Sequence, residues 1–332
     1  MATAVATSGD GVVHPKSLYV IPAETPEKKR LATQYLFKKA LYGWNSPIPP
    51  VVDVNRLSNV LDVAAGTCAW TFDLASLSGV SERLAEGAEN RVRLYACDID
   101  TRFFPEKSLT DRLGITTFQQ DATEPFPEDL RGKFDLVHVS FLFMCLTKEG
   151  WQKTLRHFYD VLKPGGILML DEADPIMYTH PSSVPPEDAS GHDVEKALND
   201  TTWVGKANRI YTGMAVQSGF FTDLTYRFPE LSKAIGFEVQ YAKRAVAPAG
   251  PHCRLLMSES ETAEFVDFSV DNLTFVFRYL AAAQFAKGTL RNPDGTLVET
   301  EAERDGMMAD VAEGLRREGA VSVGRCFIAK KL

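Results

Sequence analysis

The hydrophobic positions along the chain follow two repeats that alternate from residue 59 onward. Short apolar runs predict strands at 59–64, 92–97, 115–118, 134–140, 166–171, 237–245 and 321–329. Apolar residues at helical spacing predict helices between them, near 69–78, 103–113, 149–162, 212–235 and 259–285. This alternation is typical of βαβ units, so we expect a doubly wound, mostly parallel sheet of seven strands, in which one of the last two is the candidate for antiparallel pairing.

Two segments lie outside this pattern. Residues 1–56 are predicted to be an N-terminal extension, with a small, polar tail over 1–18 and a helix over 27–42. Residues 57–332 then form the main domain. Within it, residues 174–211 combine prolines and glycines with aromatic side chains, which favours a lid within an insertion at 174–235 over a disordered insertion.

Composition and charge exclude several classes of function. The net charge of −8 argues against a protein that binds nucleic acid by neutralising phosphates. The five cysteines are scattered and never form a C-x-x-C pair, so we expect no metal site. No apolar stretch is long enough for a membrane span, and the N-terminus has no secretory signal. We expect a soluble, cytoplasmic protein that acts without nucleic acid or membrane.

The turn after the first strand is the first candidate for a cofactor site. Its small residues Ala64, Ala65, Gly66 and Thr67 let a ligand approach the backbone at the N-terminus of a helix. The dinucleotide fingerprint has three glycines, but Gly66 is its only match here, which favours a cofactor with a sulfonium amino acid over one with a pyrophosphate. The alternative is an ordinary strand–turn–helix. Asp62, inside the strand, would orient the turn or meet an ammonium group through water.

Carboxylates follow the next two strands as well. Asp98 is placed to accept hydrogen bonds from both hydroxyls of a ribose, and Asp121 to accept one from an adenine amino group. The backbone of Ala122 would then read the adenine ring. Each acid alone has an ordinary explanation in a turn or a helix cap. Together, at the carboxyl ends of successive parallel strands, they predict a nucleoside site.

These motifs resemble those of the class I S-adenosylmethionine-dependent methyltransferases, over roughly residues 57–175. The segment 162–170 resembles the turn before the fifth strand of that superfamily. The similarity is greatest to fungal methyltransferases of secondary metabolism. Their further pattern is matched by Tyr19, Pro22, Glu27, Arg30, Leu31, Gln34, His138, Asp171 and Glu172.

The resemblance implies a Rossmann-like fold, S-adenosylmethionine as cofactor and methyl transfer to an O or N atom of a small molecule in secondary metabolism. A cofactor-binding regulatory protein and an enzyme that uses this cofactor for other chemistry are the alternatives. The oligomeric state stays open. The cofactor-binding residues it implies are Tyr19, Gln34, Asp62, Ala64, Gly66, Asp98, Ile99, Asp121, Ala122, His138 and Val139.

Candidates for catalysis and substrate binding are few. His138, at the end of the fourth strand, is the candidate catalytic residue, with a structural histidine as the alternative. Tyr35, Trp203 and Tyr211 are candidate substrate contacts, which simple hydrophobic packing would explain equally well. The sequence also departs from the family. Cys68 stands where a glycine is usual and disfavours a positive φ, and Ser140 replaces a frequent arginine.

Overall fold

The computed structural model describes residues 19–332, so the tail predicted over 1–18 lies outside the described residues. Seven strands form one sheet, in the order β3-β2-β1-β4-β5-β7-β6. Strand β7 runs antiparallel to both of its neighbours, and the first five strands are parallel. The strands are β1 Asn59–Val63, β2 Arg93–Asp98, β3 Ile115–Gln119, β4 Phe134–Ser140, β5 Leu162–Ala173, β6 Phe237–Ala249 and β7 Ala320–Lys331. The predicted fold class is confirmed.

Helices cover both faces of the sheet. They are α1 Thr25–Leu41, α2 Ala69–Ser76, α3 Ser78–Ser81, α4 Lys107–Arg112, α5 Lys148–Val161, α6 Val194–Asn199, α7 Trp203–Ser218, α8 Leu224–Ile235, α9 Cys253–Leu256, α10 Glu259–Ala286 and α11 Glu301–Arg317. In the part of the chain that the structure describes, none of them is both long enough and apolar enough to cross a membrane.

The core has three parts. Two of them lie on opposite faces of the sheet, because successive side chains of a strand point to opposite faces. Leu61 and Val63 of β1 pack with α5 and α8, whereas Val60 packs on the other face with α2. A third cluster joins α7, α10 and α11 to the ends of β6 and β7. The helical extension α1 lies against α10 and above the ends of the strands, where the site is formed.

The region predicted as a lid insertion at 174–235 is built differently from the expectation. The single helix predicted over 212–235 is two helices, α7 and α8, because Gly219 takes φ +71° and ends α7. The predicted loop over 174–211 contains α6 and the first half of α7. Helix α11 was not predicted, although Met307, Val311 and Leu315 recur every four residues.

The turn between β1 and α2 is the most strained backbone near the site. Ala64, Gly66 and Cys68 all take a positive φ, of 54°, 52° and 59°. These are the positions where the family has glycine, so Cys68 adopts the conformation that its side chain disfavours. Left-handed backbone costs a residue with a Cβ atom about 1–2 kcal/mol. The turn therefore keeps its geometry at a cost in stability.

We predict that Ala64→Gly stabilises the protein. Glycine removes the strain at φ 54° but adds freedom to the unfolded chain, so we expect a net gain of about 0.5–1 kcal/mol in the free energy of unfolding. Urea denaturation measures it. Ala65→Gly is the matched control, because Ala65 is not at a positive φ and should lose about 0.4–1 kcal/mol. A loss of stability in both variants would contradict the prediction.

Candidate functional site

A cavity of about 430 Å³ lies beyond the carboxyl ends of β1, β2, β3 and β4. Ligands of open parallel sheets bind at this edge. Helix α1 covers the cavity from above, and α7 and α10 form its far wall. Most of the predicted site residues line it together: Tyr19, Gln34, Tyr35, Asp62, Ala64, Gly66, Asp98, Ile99, Asp121, Ala122, His138 and Tyr211.

Asp98 ends β2 and is held by the backbone on both sides. Its two carboxylate oxygens accept hydrogen bonds from the N–H of Gly66 at 2.8 Å and of Asp100 at 2.9 Å. Each oxygen keeps a second lone pair for a ligand. Burial raises the pKa of Asp98 to about 6, against the lowering effect of the two N–H groups. Its ionisation is therefore poised just below neutral pH.

The segment after β3 supplies a second carboxylate. One oxygen of Asp121 accepts hydrogen bonds from the backbone N–H and the hydroxyl of Thr123, at 2.8 and 2.7 Å. The side chain is 9% exposed and lines the cavity beside Ala122. Ile99, after β2, lines the same part of the cavity. Asp98, Asp121 and the turn that contains Gly66 form what we call the polar half of the cavity.

Two neighbouring side chains fix His138 at the end of β4. Its Nδ1 lies 2.7 Å from Asp62, and its ring stacks on Trp70 with centroids 3.9 Å apart. Asp62 also accepts a hydrogen bond from Thr71 of α2. Burial lowers the pKa of His138, which favours the neutral ring. Since Nδ1–H of the neutral ring donates to the Asp62 carboxylate, Nε2 keeps a lone pair, and Nε2 has no partner among residues 19–332.

Arg30 joins the helical extension to the rest of the site. Its Nε and Nη2 donate to the two oxygens of Glu27, both at 2.7 Å, and Nη2 also donates to Tyr19. Its Nη1 donates to Gln34 in α1 and, at 2.6 Å, to Asn272 in α10. All five N–H groups of the guanidinium thus have acceptors, although the side chain is only 9% exposed. The Tyr19–Glu27–Arg30–Gln34 motif is a buried network that fixes α1 on α10.

Lys38 is a site residue that the sequence analysis missed. Its ammonium reaches from α1 to Ser140 at 3.0 Å and to Asp171 at 2.9 Å, at the ends of β4 and β5. Asp171 also accepts a hydrogen bond from Tyr42. The signal lay in helical spacing, since Leu31, Tyr35 and Lys38 fall on one face of α1. Lys38 places a cation beside Ser140, where the family often has an arginine.

The half of the cavity toward α7 and α10 is apolar. It is formed mainly by Phe141, Leu142, Phe143, Met144, Met214, Phe220, Leu273, Val276 and Leu280. Glu172, buried at the end of β5, accepts hydrogen bonds from the N–H groups of Leu142 and Phe143 and so shapes this wall. Burial raises the pKa of Glu172 well above its usual range. Tyr211 lies here, edge-on to Phe143.

The structure places two of the predicted site residues away from the cavity. Trp203 does not line the cavity, because it opens α7 and packs on Gly314 of α11, where its indole donates to Glu318 at 3.0 Å. Val139 is fully buried in the core on the α5 side of the sheet and does not line the cavity. Tyr35 does line the cavity, but its hydroxyl is already bonded to Asp73 of α2.

Part of the chain around this cavity is similar to a known sequence family. Residues 61–168, which run from within strand β1 into strand β5, match the family described as a methyltransferase domain. This segment of the chain is therefore similar to a methyltransferase domain. The strand order and the antiparallel β7 agree with this assignment.

Curated relatives of the chain include fungal proteins. Methyltransferase grgD of a Penicillium species is 26% identical over 48% of this chain and 53% of its own length. N-methyltransferase verN of Clonostachys rogersoniana is 25% identical over 50% of this chain and 53% of its own. Secondary metabolism regulator LAE1 of Hypocrea atroviridis is 27% identical over 48% and 41%. The chain spans about half the length of the curated relatives it matches.

Solved structures are more distant. A sarcosine dimethylglycine methyltransferase, described as putative, from Galdieria sulphuraria is 14% identical with a TM-score of 0.42, over 95% of this chain and 92% of that one. Phosphoethanolamine N-methyltransferase 2 of Haemonchus contortus, in complex with S-adenosyl-L-methionine, is 14% identical with a TM-score of 0.43, over 90% and 57%. These TM-scores are too low to support an argument, so the fold assignment rests on the strand order.

We predict that Arg30→Lys destabilises the protein by about 2–3 kcal/mol, because an ammonium cannot reach the five oxygens that the guanidinium fork satisfies. Urea denaturation gives the free energy of unfolding. Arg317→Lys on α11 is the matched control. Arg317 is 68% exposed, and its replacement should change stability by no more than about 0.5 kcal/mol. Equal effects of the two substitutions would show that the network contributes little.

Proposed function

We propose that this protein binds S-adenosylmethionine in the polar half of the cavity and transfers its methyl group to an O or N atom of a small molecule held in the apolar half. The observation that carries the proposal is the division of one cavity into these two halves. Carboxylates and a close-approach turn lie on one side, and aromatic and aliphatic side chains lie on the other. A nucleoside with an amino-acid tail fits the first half, and a neutral acceptor fits the second.

The residues of the polar half suit this cofactor. The free lone pairs of Asp98 can accept hydrogen bonds from both ribose hydroxyls, and Asp121 has one carboxylate oxygen without a partner among residues 19–332. Gly66 brings backbone without a side chain to the cavity wall. When bound, the cofactor supplies an electrophilic methyl group on a sulfonium. The protein then has mainly to orient the acceptor and exclude water.

His138 is the residue that we propose takes the proton of the acceptor. Its neutral ring lies at the cavity wall, with Asp62 on Nδ1 and a free lone pair on Nε2. An amine acceptor needs little help from a base, whereas a hydroxyl needs a group of this kind. Stacking on Trp70 keeps the ring in place.

The first experiment is calorimetric titration of the protein with S-adenosylhomocysteine, with NAD as control. Micromolar binding of S-adenosylhomocysteine alone supports the proposal, and no binding overturns it. Incubation with S-adenosylmethionine and fractions of a fungal metabolite extract then tests transfer, with a mass gain of one methyl group as the readout. An unmodified isomer as the product would favour a different use of the same cofactor.

A regulatory role is the second candidate, because the relatives include secondary metabolism regulator LAE1. A protein that acts only through partners needs the polar half of the cavity but has no use for the apolar one. Nine apolar side chains and Tyr211 form that half here. This favours the enzyme. Cofactor binding without transfer to any fraction of the extract would favour the regulator.

We predict that Asp98→Asn weakens S-adenosylhomocysteine binding at least tenfold at pH 7.5, because charge-assisted hydrogen bonds worth about 1.5–3 kcal/mol are lost. Calorimetry measures the dissociation constant. Asp111→Asn, on an exposed turn of α4, is the matched control and should leave it unchanged. Equal affinities for the Asp98→Asn variant and the unmodified protein would contradict the assignment of the ribose carboxylate.

We also predict a pH dependence of binding that comes from Asp98. Its pKa is about 6 in the free protein, and the ionised form is the one that accepts from two hydroxyls. The affinity for S-adenosylhomocysteine should therefore be constant above pH 7 and fall roughly tenfold per unit below pH 6. Asp98→Asn should remove this fall, since an amide does not titrate. The same fall in the variant would assign it to another group.

A further inference from the structure

A second cavity of about 100 Å³ adjoins the first, beyond the apolar half. Phe37, Leu41, Ala245 and Ala247 provide its apolar lining. Seven residues line both cavities, and we call this shared ring the waist: Gln34, Lys38, Phe141, Phe143, Tyr211, Asn272 and Leu273. An elongated ligand that used both cavities would pass through it.

Arg30 determines which atoms of the two waist amides are left for a ligand. Its Nη1 donates to the side-chain oxygens of Gln34 and Asn272, and a guanidinium has no acceptor of its own. Both amides must therefore turn their oxygens to Arg30. Their NH₂ groups are the remaining polar atoms, and neither has a hydrogen-bond partner within residues 19–332.

Two further waist residues add donors. The hydroxyl of Tyr211 makes no hydrogen bond to any described residue, and burial raises its pKa, so the hydroxyl keeps its proton. The ammonium of Lys38 uses two of its three N–H groups, on Ser140 and Asp171. Every polar side chain of the waist is thus a donor with an unused N–H or O–H.

The charges around the waist limit what these donors can bind. Asp171 and Glu172 line the second cavity, and both already accept two hydrogen bonds or ion-pair contacts. One buried cation, Lys38, faces these two carboxyl groups. Because the charge of Lys38 is already balanced by Asp171, a ligand carboxylate or phosphate would gain little from it, whereas a neutral oxygen needs no counter-ion. A donor that a bound ligand shields from water without offering it an acceptor costs about 1–3 kcal/mol, so the waist favours a ligand that supplies an acceptor.

We propose that the waist binds a neutral carbonyl oxygen of the methyl acceptor, and that the acceptor is an apolar amide, lactam or ketone with a hydrophobic group on each side of that oxygen. This inference rests on the proposed function, because it takes the apolar half of the first cavity as the acceptor site. One hydrophobic group occupies that half, and the other occupies the second cavity. The carbonyl oxygen between them has two lone pairs and accepts hydrogen bonds from two of the three donors on Gln34, Tyr211 and Asn272.

The test uses two probes of the same skeleton. Benzanilide has a carbonyl between two rings, and N-benzylaniline has a methylene in its place; both are neutral at pH 7.5. Each is titrated calorimetrically into the protein saturated with S-adenosylhomocysteine. We expect benzanilide to bind at least about tenfold more tightly than N-benzylaniline. In the complex with N-benzylaniline a donor of the waist has no acceptor, which costs at least ~1.4 kcal/mol.

Variants of the waist locate the effect. Tyr211→Phe removes one donor, and Asn272→Asp keeps the oxygen that Arg30 needs while replacing the NH₂ with an acceptor. Each should reduce the preference for benzanilide to about threefold or less, mainly because N-benzylaniline binds more tightly once the unsatisfied donor is gone, and should leave the affinity for S-adenosylhomocysteine unchanged. Tyr279→Phe is the matched control, because Tyr279 lies on α10 outside both linings and should keep the full preference.

The outcomes separate this inference from the proposed function. Equal binding of the two probes, or binding of neither while S-adenosylhomocysteine binds normally, would overturn the waist proposal and leave the cofactor assignment intact. A preference that survives both waist variants would also overturn it, since the carbonyl would then bind elsewhere. Failure of S-adenosylhomocysteine to bind would overturn the proposed function and, with it, this inference.

Discussion

The site depends on one buried guanidinium. Arg30 satisfies all five of its N–H groups with oxygens of Tyr19, Glu27, Gln34 and Asn272, which compensates the cost of burying its charge. This network holds the N-terminal helix α1 against α10, and α1 covers the cavity. It also fixes the orientation of two amides whose free NH₂ groups lie at the waist. The hydrogen bonds of Arg30 therefore stabilise α1 over the cavity and, in the proposed function, also select the acceptor.

Buried carboxylates around the cavity follow the same rule. Asp98 and Glu172 each receive two backbone N–H groups, and Asp171 receives Lys38 and Tyr42. All three lie at carboxyl ends of strands, where the chain leaves the sheet and its N–H groups are free to donate. Because the N–H groups that bind Asp98 and Glu172 belong to turns that line the cavity, these two side chains also set the shape of the wall beside them. At the ends of β2 and β5, the same side chain therefore determines both the local charge and the shape of the cavity wall.

The sequence predicted the part of the site that local pattern controls. Asp98 and Asp121 come together because parallel strands end at one edge of a sheet, so strand periodicity was enough to place them. The role of Asn272 could not be predicted, since it accepts a hydrogen bond from Arg30 across 242 residues of chain and its helix shows only the apolar pattern of core packing. Trp203 was misplaced because α7 begins at that residue, in a stretch whose prolines and glycines had indicated a loop. Side-chain contacts between distant helices leave no such local signal.

The turn after β1 shows why a missing glycine does not mean a missing site. Ala64 and Cys68 adopt the positive φ that the family gives to glycine, so surrounding contacts must outweigh strain of about 1–2 kcal/mol at each position. Two such contacts are evident: Cys68 is fully buried, and Asp98 holds the N–H of Gly66 at 2.8 Å. Neighbouring elements thus impose the backbone path that glycines would otherwise make easy. A search for the three glycines alone would therefore miss this site. The carboxylate of Asp98, which accepts a hydrogen bond from the turn, identifies it.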